Sequence, residues 1–192
     1  MHRVLITGQN RGLGQALAKK FMNNDHFVMP HRGRSDFDLS KNTDIVGLAD
    51  RAKNNNINIL VNNAAIVCPN ISLEEYSIKQ IEDMINVNLL APILLSHLLL
   101  SQLDYIININ SMVGLEIKTP RTLYSATKWG LRGFSNSLKQ ENKDLKILDV
   151  YPTNIKTTPD RQNAMELDFV VDSIYDSFIK NQEKLILDGR KI

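Results

Sequence analysis

The chain has 192 residues, of which 43% are hydrophobic, and a formal net charge of +2. Its length fits one domain with a sizeable core, which we expect to span residues 1–192. The near balance of charge and the scattered lysines and arginines argue against a polyanion-binding tail, so neither nucleic acid nor a membrane is an expected partner.

The chain carries no pattern typical of export. Only the short run from Val4 to Thr7 separates Arg3 from the first glycine, so we expect no signal peptide. The most apolar stretch, residues 87–100, is too short to span a bilayer and predicts a buried helix. The single cysteine, Cys68, cannot form an internal disulfide, which is typical of a reducing compartment. We therefore expect a soluble, cytoplasmic protein.

Apolar runs alternate with segments of helical period along the chain. The predicted strands are RVLITG, HFVMP, INILVNN, DYIININS, LKILDVYP and EKLILDG. A helix is predicted after the first strand, and others near residues 43–55, 74–102, 121–143 and 166–181. This alternation predicts an α/β fold with a doubly wound parallel sheet, a Rossmann fold with helices on both faces. The connection after Pro30 is short, so we expect an extra short strand at "DFD" on a sheet edge.

The first strand leads into a turn with glycines at positions 8, 12 and 14. Unpaired N–H groups and the helix dipole make such a helix start a site for anions. Gly8 suits a tight turn, Gly12 lets the backbone approach a pyrophosphate, and Gly14 permits close packing of helix on strand. Leu13 occupies the place where a P-loop needs glycine followed by lysine, which disfavours a nucleotide triphosphatase. A dinucleotide site is favoured, with a plain glycine-capped turn as the alternative.

The residues after the second strand bear on which dinucleotide binds. An NAD site usually carries an acid there for the ribose 2′-hydroxyl, but this chain reads Pro30, His31, Arg32 and has no acid until Asp36. Arg11 and Arg32 together could hold a 2′-phosphate through charge-assisted hydrogen bonds, which favours NADP(H). Either arginine alone would be an ordinary surface residue, and Asp36 could still approach the ribose, so NAD(H) stays open.

A tyrosine and a lysine four residues apart, Tyr124 and Lys128, share one face of a predicted helix. We expect this helix to start at Pro120 with Thr119 as its N-cap. An ammonium beside a phenol favours the phenolate and lowers its pKa from about 10, so the phenol could exchange protons near neutral pH. Ser111 ends the fourth strand and should face the same crevice. The alternatives are an ordinary surface pair and a loop serine.

Together these features resemble the short-chain dehydrogenase/reductase family along nearly the whole chain. "TGQNRGLG" resembles the family's nucleotide turn, "NNAA" its Asn-Asn-Ala-Gly element, and "NVNLL" the segment with its active-site asparagine. Ser111, Tyr124 and Lys128 match its catalytic residues, "PTNIKT" its nicotinamide-contacting element, and "FDL" its adenine-contacting position. Ala65 and Thr153 stand where the family has glycine, and the substrate-covering segment from Thr158 to Met165 is short.

The resemblance implies an NADP(H)-dependent oxidoreductase that interconverts a small-molecule carbonyl compound and an alcohol. Tyr124 would be the general acid or base, Lys128 would lower its pKa and bind ribose, Ser111 would bind the carbonyl oxygen, and Asn88 would hold a water. The implied cofactor-binding residues are Gly8, Asn10, Arg11, Gly12, Leu13, Gly14, Arg32, Asp38, Leu39, Asn63, Ala64, Tyr124, Lys128, Pro152, Ile155 and Thr157. A homodimer or homotetramer is expected. The alternatives are a catalytically silent NADP(H)-binding sensor and a purely structural module.

Two further expectations come from the residues alone. The four histidines show no ligand spacing, so we expect no metal site. Pro92 cannot donate to the carbonyl four residues earlier, which predicts that the carbonyl of Asn88 is available to a water.

Overall fold

The computed structural model describes residues 1–31, 33–67, 71–158 and 163–190. Arg32, expected to contact the cofactor, and Cys68 lie outside the described residues. The predicted strands are confirmed, and in the described part of the chain they form one six-stranded parallel sheet of order β2-β1-β3-β4-β5-β6. The strands are β1 (Arg3–Ile6), β2 (Phe27–Val28), β3 (Ile59–Asn62), β4 (Tyr105–Ile109), β5 (Lys146–Pro152) and β6 (Lys184–Leu187).

Helices cover both faces of this sheet, as expected for a doubly wound fold. They are α1 (Gly12–Met22), α2 (Asn42–Asn54), α3 (Ile78–Ile85), α4 (Ala91–Leu99), α5 (Thr122–Glu141) and α6 (Leu167–Ile179). Apolar side chains of α1 and α6 share a core with one face of the sheet. Those of α2, α4 and the end of α5 share a second core with the other face. Because β1 lies between β2 and β3, the chain reverses its winding there, and ligands of such sheets bind beside that point.

The expected strand at "DFD" is wrong. Gly33–Ser35 form a short 3₁₀ turn, and the backbone N–H groups of Asp36 and Phe37 both donate to the carbonyl of Gly33 at 2.9 Å. The N–H of Asp38 donates to the carboxylate of Asp44 at 2.8 Å. These donors are used in turns and caps, so none is left for a strand ladder, and β2 is the edge strand.

The apolar stretch around residues 87–100 belongs to a long helical segment, in keeping with the helix predicted near residues 74–102. α3, a π-helical turn at Asn86–Leu90, α4 and a 3₁₀ turn run on from Ile78 to Gln102, 25 residues in all. In the described residues this is the one helix long and apolar enough to cross a membrane. Ala91, Leu95 and Leu99 are fully buried in the core beneath α2 and α4, which is the packing of a core helix.

A row of buried polar side chains crosses the three central strands. Asn62, Asn108 and Asp149 pair across β3, β4 and β5. Asn62 Nδ2 donates to Asn108 Oδ1 at 2.8 Å, and Asn108 Nδ2 donates to Ser135 Oγ on α5 at 2.8 Å. Ser135 Oγ in turn donates to Asp149 Oδ1 at 2.7 Å, and Lys139 Nζ lies 3.2 Å from Asp149 Oδ2. This polar row fixes α5 on the sheet through directional contacts.

Candidate active site

A crevice of ≈ 780 Å³ opens at the carboxyl ends of β3, β4 and β5. Its walls come from the segments that follow these strands and from the inner face of α5. Among the predicted site residues, those that line it are Asn63, Ser111, Tyr124, Lys128, Pro152, Ile155 and Thr157. The fold therefore brings the three residues matched to catalytic roles together with the last cofactor element.

The glycine turn has the shape that an anion site needs. Gly12 begins α1 with a φ of +54°, a conformation that side-chain-bearing residues rarely adopt. A Cβ at Gly14 would overlap the carbonyl oxygen of Gly8 and lie 2.5 Å from Asn63 Nδ2. The first turn of α1 contains no acidic residue, so its N–H groups and positive dipole end face no competing carboxylate.

Asn63 and Ala64 are held against this turn by Thr7. Thr7 Oγ1 accepts hydrogen bonds from both of their backbone N–H groups at 3.0 Å. Asn63 Nδ2 donates to the carbonyl oxygens of Thr7, at 2.9 Å, and Gly8, at 3.3 Å. The amide of Asn63 thus stabilises the glycine turn, while the residue also lines the crevice. The sequence gives no separate signal for Thr7.

The segment after β5 closes onto the start of α1. A Cβ at Gly12 would come within 3.3 Å of Thr157 Cγ2, so the first and last cofactor elements are neighbours. Ile155 pairs with Met165 in an isolated bridge, which fixes the far side of this segment. Leu13 points into the core beneath α1, so its side chain does not face a ligand.

Tyr124 and Lys128 both lie on the buried face of α5. Lys128 is 2% exposed, and its Nζ lies 5.6 Å from the centroid of the Tyr124 ring and donates to the carbonyl of Ile109 at 2.8 Å. Burial lowers the pKa of Lys128 to about 8. The side chain therefore loses its proton at a pH only slightly above neutral. α5 begins at Thr122 with Arg121 as N-cap residue, so the predicted cap at Thr119 is wrong.

Ser111 follows β4 directly and caps the short 3₁₀ turn Met112–Gly114. Its Oγ accepts from the N–H of Val113 at 3.4 Å, a long bond that leaves the hydroxyl hydrogen available to another acceptor. The neighbouring Asn110 accepts from the N–H of Ser111 at 2.9 Å and donates to the carbonyl of Lys128 at 3.2 Å. Sequence reasoning missed Asn110, which joins the serine and the lysine through their backbones.

Asn88 lies in the π-helical turn and is buried. Its side chain holds the segment after β3: Oδ1 accepts from the N–H of Ile66 at 2.7 Å, and Nδ2 donates to the Ile66 carbonyl at 2.9 Å. Nδ2 also reaches Thr127 Oγ1 on α5 at 3.4 Å. Asn88 therefore connects the wall of the crevice to the helix of Tyr124. The water expected at its carbonyl stays a prediction, although π-turns of this kind are frequent at functional sites.

The groups expected at the adenosine end lie in the turn between β1 and α1 and in the loop after β2. Arg11 is exposed at the N-cap of α1, and Asn10 Nδ2 lies close to Gly33. The carboxylate of Asp36 forms an ion pair with Arg51 at 2.8 Å, so the acid that could approach a ribose is already engaged.

Asp38 and Leu39, the two residues matched to adenine contact, lie in different surroundings. Burial raises the pKa of Asp38, but hydrogen bonds from the backbone and hydroxyl of Ser40 outweigh it and hold that pKa below its usual value. Leu39 is buried in the core with α2 and α4, so its side chain packs and only its backbone could meet a ligand.

Comparison with known proteins now decides the family. The model of the family described as short chain dehydrogenase matches residues 34–167, more than half of the chain. The chain belongs to the short-chain dehydrogenase family. This is a family of oxidoreductases, and the glycine turn at residues 8–14 adds to the match from outside the matched range.

The relatives of this short-chain dehydrogenase match most of its length at modest sequence identity. It is 30% identical to carbonyl reductase family member 4 of Xenopus laevis, over 79% of this chain and 75% of that protein. It is 29% identical to the short-chain dehydrogenase RED1 of Pyricularia oryzae, over 85% of this chain but only 64% of that protein. The chain thus spans less than two thirds of the length of some relatives that it matches.

Solved structures share the fold. A short chain dehydrogenase from Burkholderia cenocepacia, crystallised with NADP, has a TM-score of 0.85 at 22% identity. The match covers 98% of this chain and 96% of the Burkholderia cenocepacia chain. One departure of this short-chain dehydrogenase from the family pattern has a visible use. Thr153, in place of glycine, accepts the N–H of Gly189 on its Oγ1 at 2.9 Å and donates to the carbonyl of Leu187 at 3.4 Å.

Proposed function

We propose that this protein is an NADP(H)-dependent oxidoreductase that interconverts a carbonyl compound and an alcohol, with Tyr124 as general acid and base. The observation that carries the proposal is the shared crevice of Tyr124, Lys128 and Ser111, which reaches the glycine turn through Thr157. A phenol, an ammonium and a hydroxyl on one wall supply a proton donor, its electrostatic partner and a hydrogen-bond donor for a developing oxyanion.

The residues present fit a nicotinamide dinucleotide. The N–H groups at the start of α1 suit the pyrophosphate, because the backbone there is free of Cβ atoms at Gly12 and of acidic side chains. Ile155 and Thr157 line the crevice beside this turn and would hold the nicotinamide end, while Lys128 would bind its ribose. When bound, this cofactor supplies or accepts the hydride.

The protein's own part is to bind, orient and move a proton. In reduction, Tyr124 gives its phenolic proton to the carbonyl oxygen of the substrate, and Ser111 donates a hydrogen bond to the same oxygen. In oxidation, the phenolate takes the proton of the alcohol. The ammonium of Lys128 stabilises the phenolate across the ring, and its bond to Ile109 fixes the position of its Nζ.

Preference for NADP(H) rests on charge around the loop after β2. Arg11 at the exposed N-cap of α1 offers a cation to a 2′-phosphate, and the sequence carries a second arginine, Arg32, shortly after β2. Asp36, which would favour the ribose hydroxyl of NAD(H), is engaged by Arg51. The Burkholderia cenocepacia protein with NADP and a Sphingobium yanoikuyae short-chain dehydrogenase with NADPH, of TM-score 0.82, lend support by likeness of fold.

The deciding experiment compares the parent with Tyr124→Phe. We expect the variant to bind NADPH with unchanged Kd and to lose a factor of about 10² to 10⁴ in kcat for reduction of a panel of aldehydes, ketones and keto-acyl compounds. Tyr175→Phe is the control, because Tyr175 lies on α6 and contacts His26 at 3.1 Å, away from the crevice. Turnover by Tyr124→Phe at the parent rate would refute the proposal. Binding of NADPH by a parent that turns over nothing in the panel would favour a sensor.

A further inference from the structure

The charges on the crevice wall are unevenly compensated. The ionisable side chains that line it are Glu116, Lys118, Arg121, Lys128, Glu166 and Arg190, besides Tyr124. Two of these are carboxylates and four are cations, a local excess of two positive charges that equals the net charge of the whole chain, +2. The crevice is therefore locally positive.

Both carboxylates are already paired with cations. Glu116 contacts Arg190 through both of its oxygens, at 2.8 and 3.3 Å, and Arg190 also pairs with Asp188 at 2.7 Å. Glu166 pairs with Lys156 at 2.8 Å. In the part of the chain that the structure describes, the ammonium of Lys118 has no hydrogen bond or ion pair, and the residue is exposed. Neither acid is therefore disposed to neutralise Lys118.

Lys118 lies close in sequence to the reacting groups. Lys118 lines the crevice and belongs to the loop that joins Ser111 to the start of α5, the helix of Tyr124. A charge placed on this loop faces a ligand whose carbonyl lies between the serine and the tyrosine. Walls of low dielectric focus such a field into the crevice.

On these charges, and resting on the proposed function, we infer that the substrate is an oxo acid, a carbonyl compound whose carboxylate is held by Lys118. A neutral ketone would leave Lys118 solvated and gain nothing from it. A carboxylate would form a charge-assisted hydrogen bond that orients the molecule with its carbonyl toward Tyr124. Lys118 is thereby a specificity-determining residue.

The test measures NADPH oxidation with pyruvate, acetoacetate and laevulinate, each beside its methyl ester, which is the same carbonyl without the charge. We expect at least one acid to exceed its ester in kcat/KM by roughly tenfold, with the ratio falling as salt is added. Lys118→Gln should lower the ratio to near one, through the acid alone, and Lys118→Arg should restore it. The control is Lys146→Gln, because Lys146 lies at the amino end of β5, away from the crevice.

The outcomes separate the two proposals. Turnover of esters as fast as acids, or an acid preference that survives Lys118→Gln, would overturn the oxo-acid inference and leave the oxidoreductase standing. Turnover of neither acids, esters nor the wider carbonyl panel would overturn both. An equal loss for acid and ester in Lys118→Gln would mean that the lysine supports the loop and does not read the carboxylate.

Discussion

Gly12 and Thr157 are neighbours: a Cβ atom on the glycine would lie 3.3 Å from Thr157 Cγ2. The first residue of α1 and the segment after β5 therefore form one surface, although most of the chain separates them. This contact places the anion-binding end of α1 beside the crevice of Tyr124 and Lys128. It also limits what either position tolerates.

Gly12→Ala should weaken NADPH binding by about tenfold or more, because an alanine at positive φ costs about 1 kcal/mol and its methyl crowds Thr157. Fluorescence titration with NADPH measures the change. The matched control is Gly133→Ala, within α5, where a Cβ would meet nothing within 4 Å. That variant should keep the parent Kd and gain about 0.5 to 1 kcal/mol in unfolding free energy. Equal Kd values for both variants would contradict the role of the turn.

Arg11→Ala should raise the Kd for NADPH by about tenfold and change that for NADH by no more than about twofold, since only NADPH carries the 2′-phosphate. Isothermal titration with each cofactor gives both values. Lys19→Ala is the control, because it removes a charge from an exposed position two turns further along the same helix. A parallel weakening for both cofactors would show that Arg11 does not read the phosphate.

The gain in unfolding free energy of Lys128→Met over the parent should be largest at neutral pH. Below about pH 8 the folded parent holds a buried ammonium, whereas the unfolded lysine keeps its proton up to about pH 10.5. Between these values the unfolded chain binds more protons, so the parent's free energy of unfolding rises with pH relative to the variant's, by roughly 3 kcal/mol in total.

Urea unfolding of both proteins from pH 7 to pH 10.5 measures that difference, and titrations common to both cancel. The lost bond to Ile109 adds an offset that does not vary with pH. Lys143→Met removes an exposed lysine, and its difference from the parent should stay flat across the range. A flat difference for Lys128→Met as well would mean that the lysine is not held in a desolvated site.

Asn88→Ala should lower the unfolding free energy by about 2 to 4 kcal/mol, because it leaves both backbone groups of Ile66 without their partner. Hydrogen exchange should quicken at the N–H of Ile66. Asn86→Ala loses a single bond, from Nδ2 to the carbonyl of Ser40, and should cost about 1 kcal/mol. Similar losses of unfolding free energy in the two variants would contradict the role of Asn88 in holding Ile66.

The strands were predictable because each is a short apolar run, and runs such as Ile59–Asn62 are buried throughout, as a parallel sheet requires. The tyrosine and lysine were predictable from their spacing on one helix. The turn at residues 33–38 was not predictable. Its conformation depends on which backbone N–H groups donate to the carbonyl of Gly33 and to the carboxylate of Asp44, and the sequence pattern does not specify these pairings. Asn110 escaped notice because its partner, the carbonyl of Lys128, is distant in sequence.

Asn62, Asn108 and Asp149 all project toward α5, whereas their neighbours Val61, Ile107 and Leu148 project into the core beneath α1 and α6. A shift of β5 by a single residue against β4 would turn the Asp149 carboxylate into that apolar layer, away from Ser135 and Lys139. An unpaired charge there would cost several kcal/mol. The polar row thus specifies the register of the central strands during folding. A sheet with β5 out of register is destabilised by the unpaired Asp149 carboxylate, whether or not a ligand is bound.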